Sequence, residues 1–205
     1  MKRAAFAIIF ILSAFETYAS GKETGEFRRF TFGAEWGYVA SFHSGIHHNF
    51  FSEQGYRVDL INNSFAFNGN GDVYIHFGYN LKRNLNLSLY AGVAGIADFH
   101  KAVPLTLRLT RYLDIADSKD RWLVFADAGS GVCIKPDPQS ILTGKIGGGY
   151  SITLSRDTSI DLLFAYRMTL THPEIVYDGH TIGMNKINRN NAYVSALSLS
   201  ISLNF

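Results

Sequence analysis

Histidine has the widest chemical reach of any side chain in this sequence, since a neutral imidazole ligates metals and acts as a base near neutral pH. His43, His47 and His48 fall together, His100 stands alone, and His172 and His180 come late; only His76 lies inside an apolar alternating run. Ser44 and Glu53 accompany the first group. His43, Ser44, His47, His48, Glu53, His100, His172 and His180 are therefore the residues that could hold a metal ion or build an acyl-transfer site. Their spacing matches no metal or nucleophile motif, and plain polar surface residues are the competing reading.

A second set is ionic. Glu35, Asp127 and Asp161 sit on the polar positions of alternating runs, as do Arg108, Lys145 and Arg167, with His76 beside them. Three acids and three bases cancel, and buried charges persist only when paired. They read as a salt-bridged plug rather than the lining of a pore. Cys133 is the one cysteine, so neither an intrachain disulfide nor a cysteine-only zinc site is open to the chain; it reads as a small apolar filler. Gly147, Gly148 and Gly149 stand within a strand pattern with no Lys-Ser or Lys-Thr after them, so they relieve crowding rather than cradle phosphate. No cofactor is expected.

These residues must be positioned by strands. From 30 to 42 every even residue is apolar (Phe30, Phe32, Ala34, Trp36, Tyr38, Ala40, Phe42), while the odd ones include Gly33, Glu35, Gly37 and Ser41. A period of two is a strand with one greasy face. The pattern returns around Ile75, Leu89, Leu107, Trp122, Ile146, Phe164 and Leu199, giving eight strands. In the fifth, Leu123 and Phe125 make both faces apolar, and Asp127 orients it with the acid inward. Connections alternate between short (81–84, 113–120, 155–158) and long (44–71, 172–190), with short middle loops at 98–101 and 134–140. The first long connection could carry a hairpin turning around Asn62 and Asn63, which offers strand edges to a partner and leaves a ten-stranded count open.

Large apolar residues on one face and Gly, Ser and Thr on the other fit lipid outside and a filled lumen inside, the reverse of a soluble sandwich or lipocalin-like barrel. The expected fold is all-β, an eight-stranded antiparallel up-and-down transmembrane β-barrel. Phe30, Trp122, Tyr150, Tyr166, Tyr193 and Phe205 suit the interfacial belts. A Lys2-Arg3 start, the apolar run from Ala4 and the ending Thr17-Tyr18-Ala19 read as a signal peptide over 1–19, leaving a barrel domain over 20–205. Hydrophobic residues at 47%, charged residues at 18% and a net charge of +2 exclude a disordered chain and argue against nucleic acid as partner. The mean hydropathy of +0.03 is an average over two unlike faces.

The chain ends on alternating Leu199, Ile201, Leu203 and Phe205, which looks like the assembly signal of outer-membrane proteins. With the eight-strand pattern, the sequence resembles the small outer-membrane β-barrels of Gram-negative bacteria, the OmpA membrane-domain, OmpX and OmpW type. That resemblance implies a monomer in outer-membrane lipid and lipopolysaccharide, inserted by the barrel assembly machinery, with an unknown extracellular ligand. It implies no particular activity. A structural or ligand-binding role through the long loops is the first expectation, and enzymatic activity the less expected one. The enzymatic alternative is similarity to the barrel lipid A deacylases, which share this size and use His, Ser and an acid. Their His-x-Ser-Asn signature is not reproduced, since His43 and Ser44 are adjacent and Gly45 follows. A small-solute channel is the third option.

Overall fold

The computed structural model describes residues 29–96, 101–114, 120–135, 139–155 and 158–205. The signal-peptide reading of 1–19 and the candidate His100 lie outside the described residues. The strands are β1 (Phe30–Phe51), β2 (Arg57–Lys82), β3 (Leu85–Gly95), β4 (Lys101–Asp114), β5 (Arg121–Lys135), β6 (Gln139–Thr153), β7 (Ser159–Thr171), the two-residue strands β8 (Val176–Tyr177) and β9 (His180–Thr181), and β10 (Ile187–Asn204), preceded by a 3-10 turn at Met184–Lys186. Eight of them close antiparallel in the order β1-β10-β7-β6-β5-β4-β3-β2, while β8 and β9 form a separate small hairpin. The count is eight, and the long hairpin extends β1 and β2 instead of adding strands.

Closure is made by the chain end. Phe205 N–H donates to the Phe32 carbonyl at 2.8 Å, Phe32 N–H donates back to Phe205 at 3.1 Å, and Leu199, Ile201 and Leu203 pair with Tyr38, Trp36 and Ala34. Within the closed ring each strand is laddered to a neighbour on both sides, which is how a spanning sheet satisfies its backbone and avoids an edge.

The alternation read from the sequence sets the faces. Trp36, Ile75, Leu105, Trp122, Ile146, Phe164 and Leu199 point outward and are exposed, whereas Glu35, Tyr74, Thr106, Arg108, Asp127, Lys145, Asp161 and Arg167 point inward and are buried. β5 is oriented as Asp127 requires, with Leu123 and Phe125 in the lumen. At about 3.3 Å per residue and a tilt of about 40°, the outward apolar run 30–42 rises about 30 Å, the thickness of a bilayer's hydrocarbon core. Aromatic pairs mark both ends of that band. Phe30 meets Tyr79 at 5.4 Å, Phe32 stacks on Phe205 at 5.3 Å and Trp122 meets Tyr150 at 5.0 Å at one end; Phe42 meets Tyr166 at 6.4 Å at the other.

The first long connection departs from the sequence expectation. Most of 44–71 is strand, and Asn62 and Asn63 lie mid-ladder opposite Ile46 and Gly45. The hairpin turns instead at 52–56, where Gly55 N–H donates to Ser52 O at 3.0 Å and Tyr56 O accepts from Ser52 N–H at 2.9 Å. Gly55 supplies the φ of 85° that this turn needs. Two asparagines are a turn signal only until a partner strand is present, and here β1 runs alongside them.

Candidate functional site

Two assemblies of polar side chains stand out, one in the lumen and one on the sheet above the barrel. In the lumen the sequence distributes charge over strands far apart in the chain, and closure brings them to one level. Arg108 of β4 is the hub. Its guanidinium reaches Glu35 of β1 at 2.5 Å and Asp127 of β5 at 2.9 Å, both buried with it. The rings of Tyr90 and Phe125 lie 4.0 Å and 4.4 Å from it. Lys145 of β6 reaches Asp72 of β2 at 3.1 Å and Glu35 at 3.5 Å, and Tyr74 lies beneath its ammonium at 4.6 Å. Arg167 of β7 is 3.8 Å from Asp72 and donates to the Gly95 carbonyl of β3. Glu35, Asp72 and Asp127 thus face Arg108, Lys145 and Arg167 across the bore.

The membership differs from the sequence-derived set at three residues: Asp161 and His76 lie outside the charge layer and Asp72 is part of it. Asp161 is buried but makes no ion pair among the described residues; it sits lower, beside Ser151 and Asn204. Asp72 takes its place in the charge layer. His76 is also below that layer, stacked on Tyr90 at 4.6 Å with its Nε2 3.4 Å from the Ser202 hydroxyl. Both line a cavity of about 30 Å³ with Thr31, Asn86 and Tyr112, polar and large enough to hold water. Strand parity places all these residues inward; their height in the bore depends on the register between strands.

Apolar plates lie on either side of the charge layer. Leu123, Phe125, Leu163 and Ala165 pack below it, and Ile96, Ala102, Cys133 and Ile141 above. Gly147 and Gly149 make the lower plate possible, since a Cβ at either would collide with β7 backbone and with Ala165 or Leu163.

Above the barrel, β1, β2 and β10 continue as a three-stranded sheet. The ladder of β1 shifts register between Ser41 and His43 on both sides, and with it the facing of the residues beyond. His43 and His47 therefore lie on the outward face, while Ser44, Ile46, His48 and Phe50 face inward. His43 stacks on Phe65 at 4.5 Å and meets Tyr193 edge-on at 5.4 Å. His47 pairs with Asp59 at 2.9 Å. Hydrogen bonding from Asn49 and then His47 holds the Asp59 carboxyl below its usual range.

His48 is buried, and desolvation, followed by the neighbouring His47, lowers its pKa. The inner face of the sheet is covered by the segment after β7: Phe50 and Val58 pack with Ile175 and Ile182, joined by Tyr177 and Ile187. At the tip Glu53 pairs with Lys186 at 2.8 Å, which holds its carboxyl below the ordinary range. His172 Nδ1 meets the Asn190 carbonyl, and His180 is exposed on β9.

The predicted loop candidates are thus mostly strand residues, spread over two faces. Adjacent His43 and Ser44 point to opposite sides, as neighbours on a strand must. No three His, Cys, Asp or Glu among the described residues come together as metal ligands.

No protein-family model and no curated protein sequence matches the chain. Among solved structures, Neisserial surface protein A is similar at a TM-score of 0.51 and 12% identity, over 85% of this chain and 95% of that one. OprG, an outer-membrane protein of Pseudomonas aeruginosa, is similar at a TM-score of 0.51 and 12% identity, over 90% of this chain and 99% of that one. At such identity the likeness is one of fold, and that fold is the small outer-membrane β-barrel the sequence pattern resembles.

Proposed function

We propose that the chain is an integral outer-membrane protein whose bore is sealed by the charge layer and whose working surface is the sheet beyond the outer leaflet, in a structural or ligand-binding role. The apolar band between two aromatic girdles supports burial in lipid, with the short turns periplasmic and the long hairpin extracellular. A monomer in contact with outer-membrane lipid and lipopolysaccharide, inserted by the barrel assembly machinery, follows from that placement.

The observation that carries the reading is the layer itself. Six buried ionic side chains from six strands meet at one level between two apolar plates, and eight strands leave a bore just wide enough for side chains to fill. A sealed bore gives no current steps from purified protein in planar bilayers. Arg108→Ser and Lys145→Ser, which remove the hub and its neighbour, open conductance if the layer is the seal. Steps from the unaltered protein would instead make it a small-solute channel.

An enzymatic role on outer-leaflet lipid would have to use histidines that the sheet separates, with His43 held between Phe65 and Tyr193. Mass analysis of lipid A acyl chains with and without expression tests it; a changed profile would reinstate that role.

A further inference from the structure

We infer that a groove in the lipid-facing wall, floored by Gly148, holds one acyl chain of a phospholipid from the periplasmic leaflet as a resident ligand. The inference rests on the outer-membrane reading above and adds to it a lipid site on the barrel itself.

The outward face is hollowed at one place into a groove of about 1020 Å³ with mostly apolar walls. Its lower border is a cross-strand row, Trp36, Ile201, Leu162, Tyr150 and Trp122, each opposite the next on the neighbouring strand. In the row above, Phe164 and Val124 flank Gly148. Packing asks less of that glycine than of its neighbours. A Cβ at Gly148 would stand 3.1 Å from the Leu123 carbonyl oxygen and 3.8 Å from a Val124 methyl, whereas one at Gly147 or Gly149, on the inner face, would collide with β7 backbone. Behind the groove the wall is shut: β6 is paired on both sides across 147–149, and Leu123 and Leu163 fill the lumen there. The groove is a notch in the surface backed by continuous sheet.

Width and length choose the occupant. The β5 and β7 backbones that flank β6 are two strand spacings apart, about 10 Å, and Val124 and Phe164 narrow that span. A helix about 10–12 Å across does not enter, whereas an extended hydrocarbon chain does. Lengthwise the groove starts at Trp122 and Tyr150, the pair that marks the short-turn end of the apolar band, and climbs to Trp36, the middle residue of the run 30–42. That is half of the band, about 15 Å, the depth of one leaflet. With the short turns periplasmic, the leaflet is the periplasmic one. Trp122 and Tyr150 bring a polar edge to the level where ester and headgroup begin.

Shape separates this site from ordinary lipid contact. A chain lying in the notch meets protein on its floor and on both walls, whereas a chain on the plain outer wall meets it on one side. Dispersion contacts add with each atom touched, so the notch holds its chain more firmly than the surrounding surface does. The walls are stiff as well, because aromatic side chains such as Trp36, Trp122, Tyr150 and Phe164 turn about only two torsions and lose little freedom when a ligand orders them.

Both tryptophans of the chain line the groove, Trp122 at its mouth and Trp36 at its far end, so their fluorescence reads the site without added labels. In protein refolded in detergent micelles, phosphatidylethanolamine brominated along its acyl chains should quench that fluorescence saturably, at one lipid per barrel. Filling the notch with Gly148→Leu, or from β5 with Val124→Phe, should raise the half-saturating lipid at least tenfold while the heat-dependent gel shift of a folded barrel is kept. Ile75→Phe, on the opposite wall, should leave it unchanged. Native mass spectrometry of the unaltered protein should retain one phospholipid once the detergent is stripped. Quenching that only rises in proportion to lipid overturns the proposal, as does unchanged saturation in a folded filled variant, an equal effect of Ile75→Phe, or no retained lipid. Lipopolysaccharide displacing the brominated lipid as well as unbrominated phosphatidylethanolamine does would place the occupant in the other leaflet, which also overturns it. The micelle assay reads the notch alone, whereas protease shaving of intact cells reads the outer-membrane placement, so failure of either is distinguishable from failure of the other.

Discussion

The lumen at the level of Glu35 and the sheet above His43 are continuous strands of one ring, yet they are held together by different physics. In the lumen, charge is compensated among buried side chains inside a shell of aromatic rings. Above the barrel the ionic contacts are exposed, and the cohesion comes from Phe50, Val58, Ile175 and Ile182. Removing a charge should therefore be severe below and slight above, while removing a hydrophobe above should loosen the platform without opening the ring.

The largest expected effect is at Glu35. Glu35→Ala leaves Arg108 and Lys145 short of a buried partner, which costs about 3–5 kcal/mol when one member of a buried pair is deleted. Urea unfolding in micelles should show it, and a loss below about 1 kcal/mol would mean the layer contributes little to stability.

Phe50→Ala comes next. Truncating a fully buried phenylalanine costs about 3–5 kcal/mol where the site cannot collapse, and here the loss should be confined to the platform. Protease should cut 172–186 faster while the barrel's unfolding midpoint stays put; a shifted midpoint would merge the two regions into one cooperative unit.

His48 gives a smaller, pH-dependent effect. Burial lowers its pKa below the ordinary 6.5, so in that range the unfolded segment binds the proton more readily than the folded one. Platform stability should be complete above pH 6.5 and decline as pH falls below it. Exchange protection of 44–51 against pH measures this, and His48→Gln should flatten the profile. An unchanged slope in the variant would assign the pH dependence elsewhere.

Asp59→Asn is the smallest. Its exposed contact with His47 is screened by solvent and salt, so exchange protection of 57–60 should hardly change. A marked loss would show that the upper ion pair contributes far more than its exposure implies.

Alternation made most of the fold legible, because a strand at a lipid boundary must send successive side chains into opposite environments. That rule oriented even β5, through Asp127 alone. It placed Asp72 inward as well, but at the foot of a supposed loop; only the continuation of β2 to Arg57 puts Asp72 in mid-bore, where it meets Lys145. Asp161 failed in the opposite sense, since its facing was readable but its level in the bore was not. His43, His47 and His48 were misassigned to a loop because nothing in Ser44, His47 or Asn63 announces a strand until β1, β2 and β10 pair. The register shift beyond Ser41 then decides which imidazole looks outward.

What the sequence determined by itself is the two-faced strand, its length and the apolar band, since these follow from a period of two along a local run of backbone. Pairing was left to the tertiary structure. Glu35 and Arg108 meet because β1 and β4 lie across a closed bore, and the tilt and stagger that set their common height belong to the whole ring. Among the described residues, the same closure leaves one edge of the upper sheet covered by the segment after β7 and the other, along β2, with β1 as its one strand neighbour.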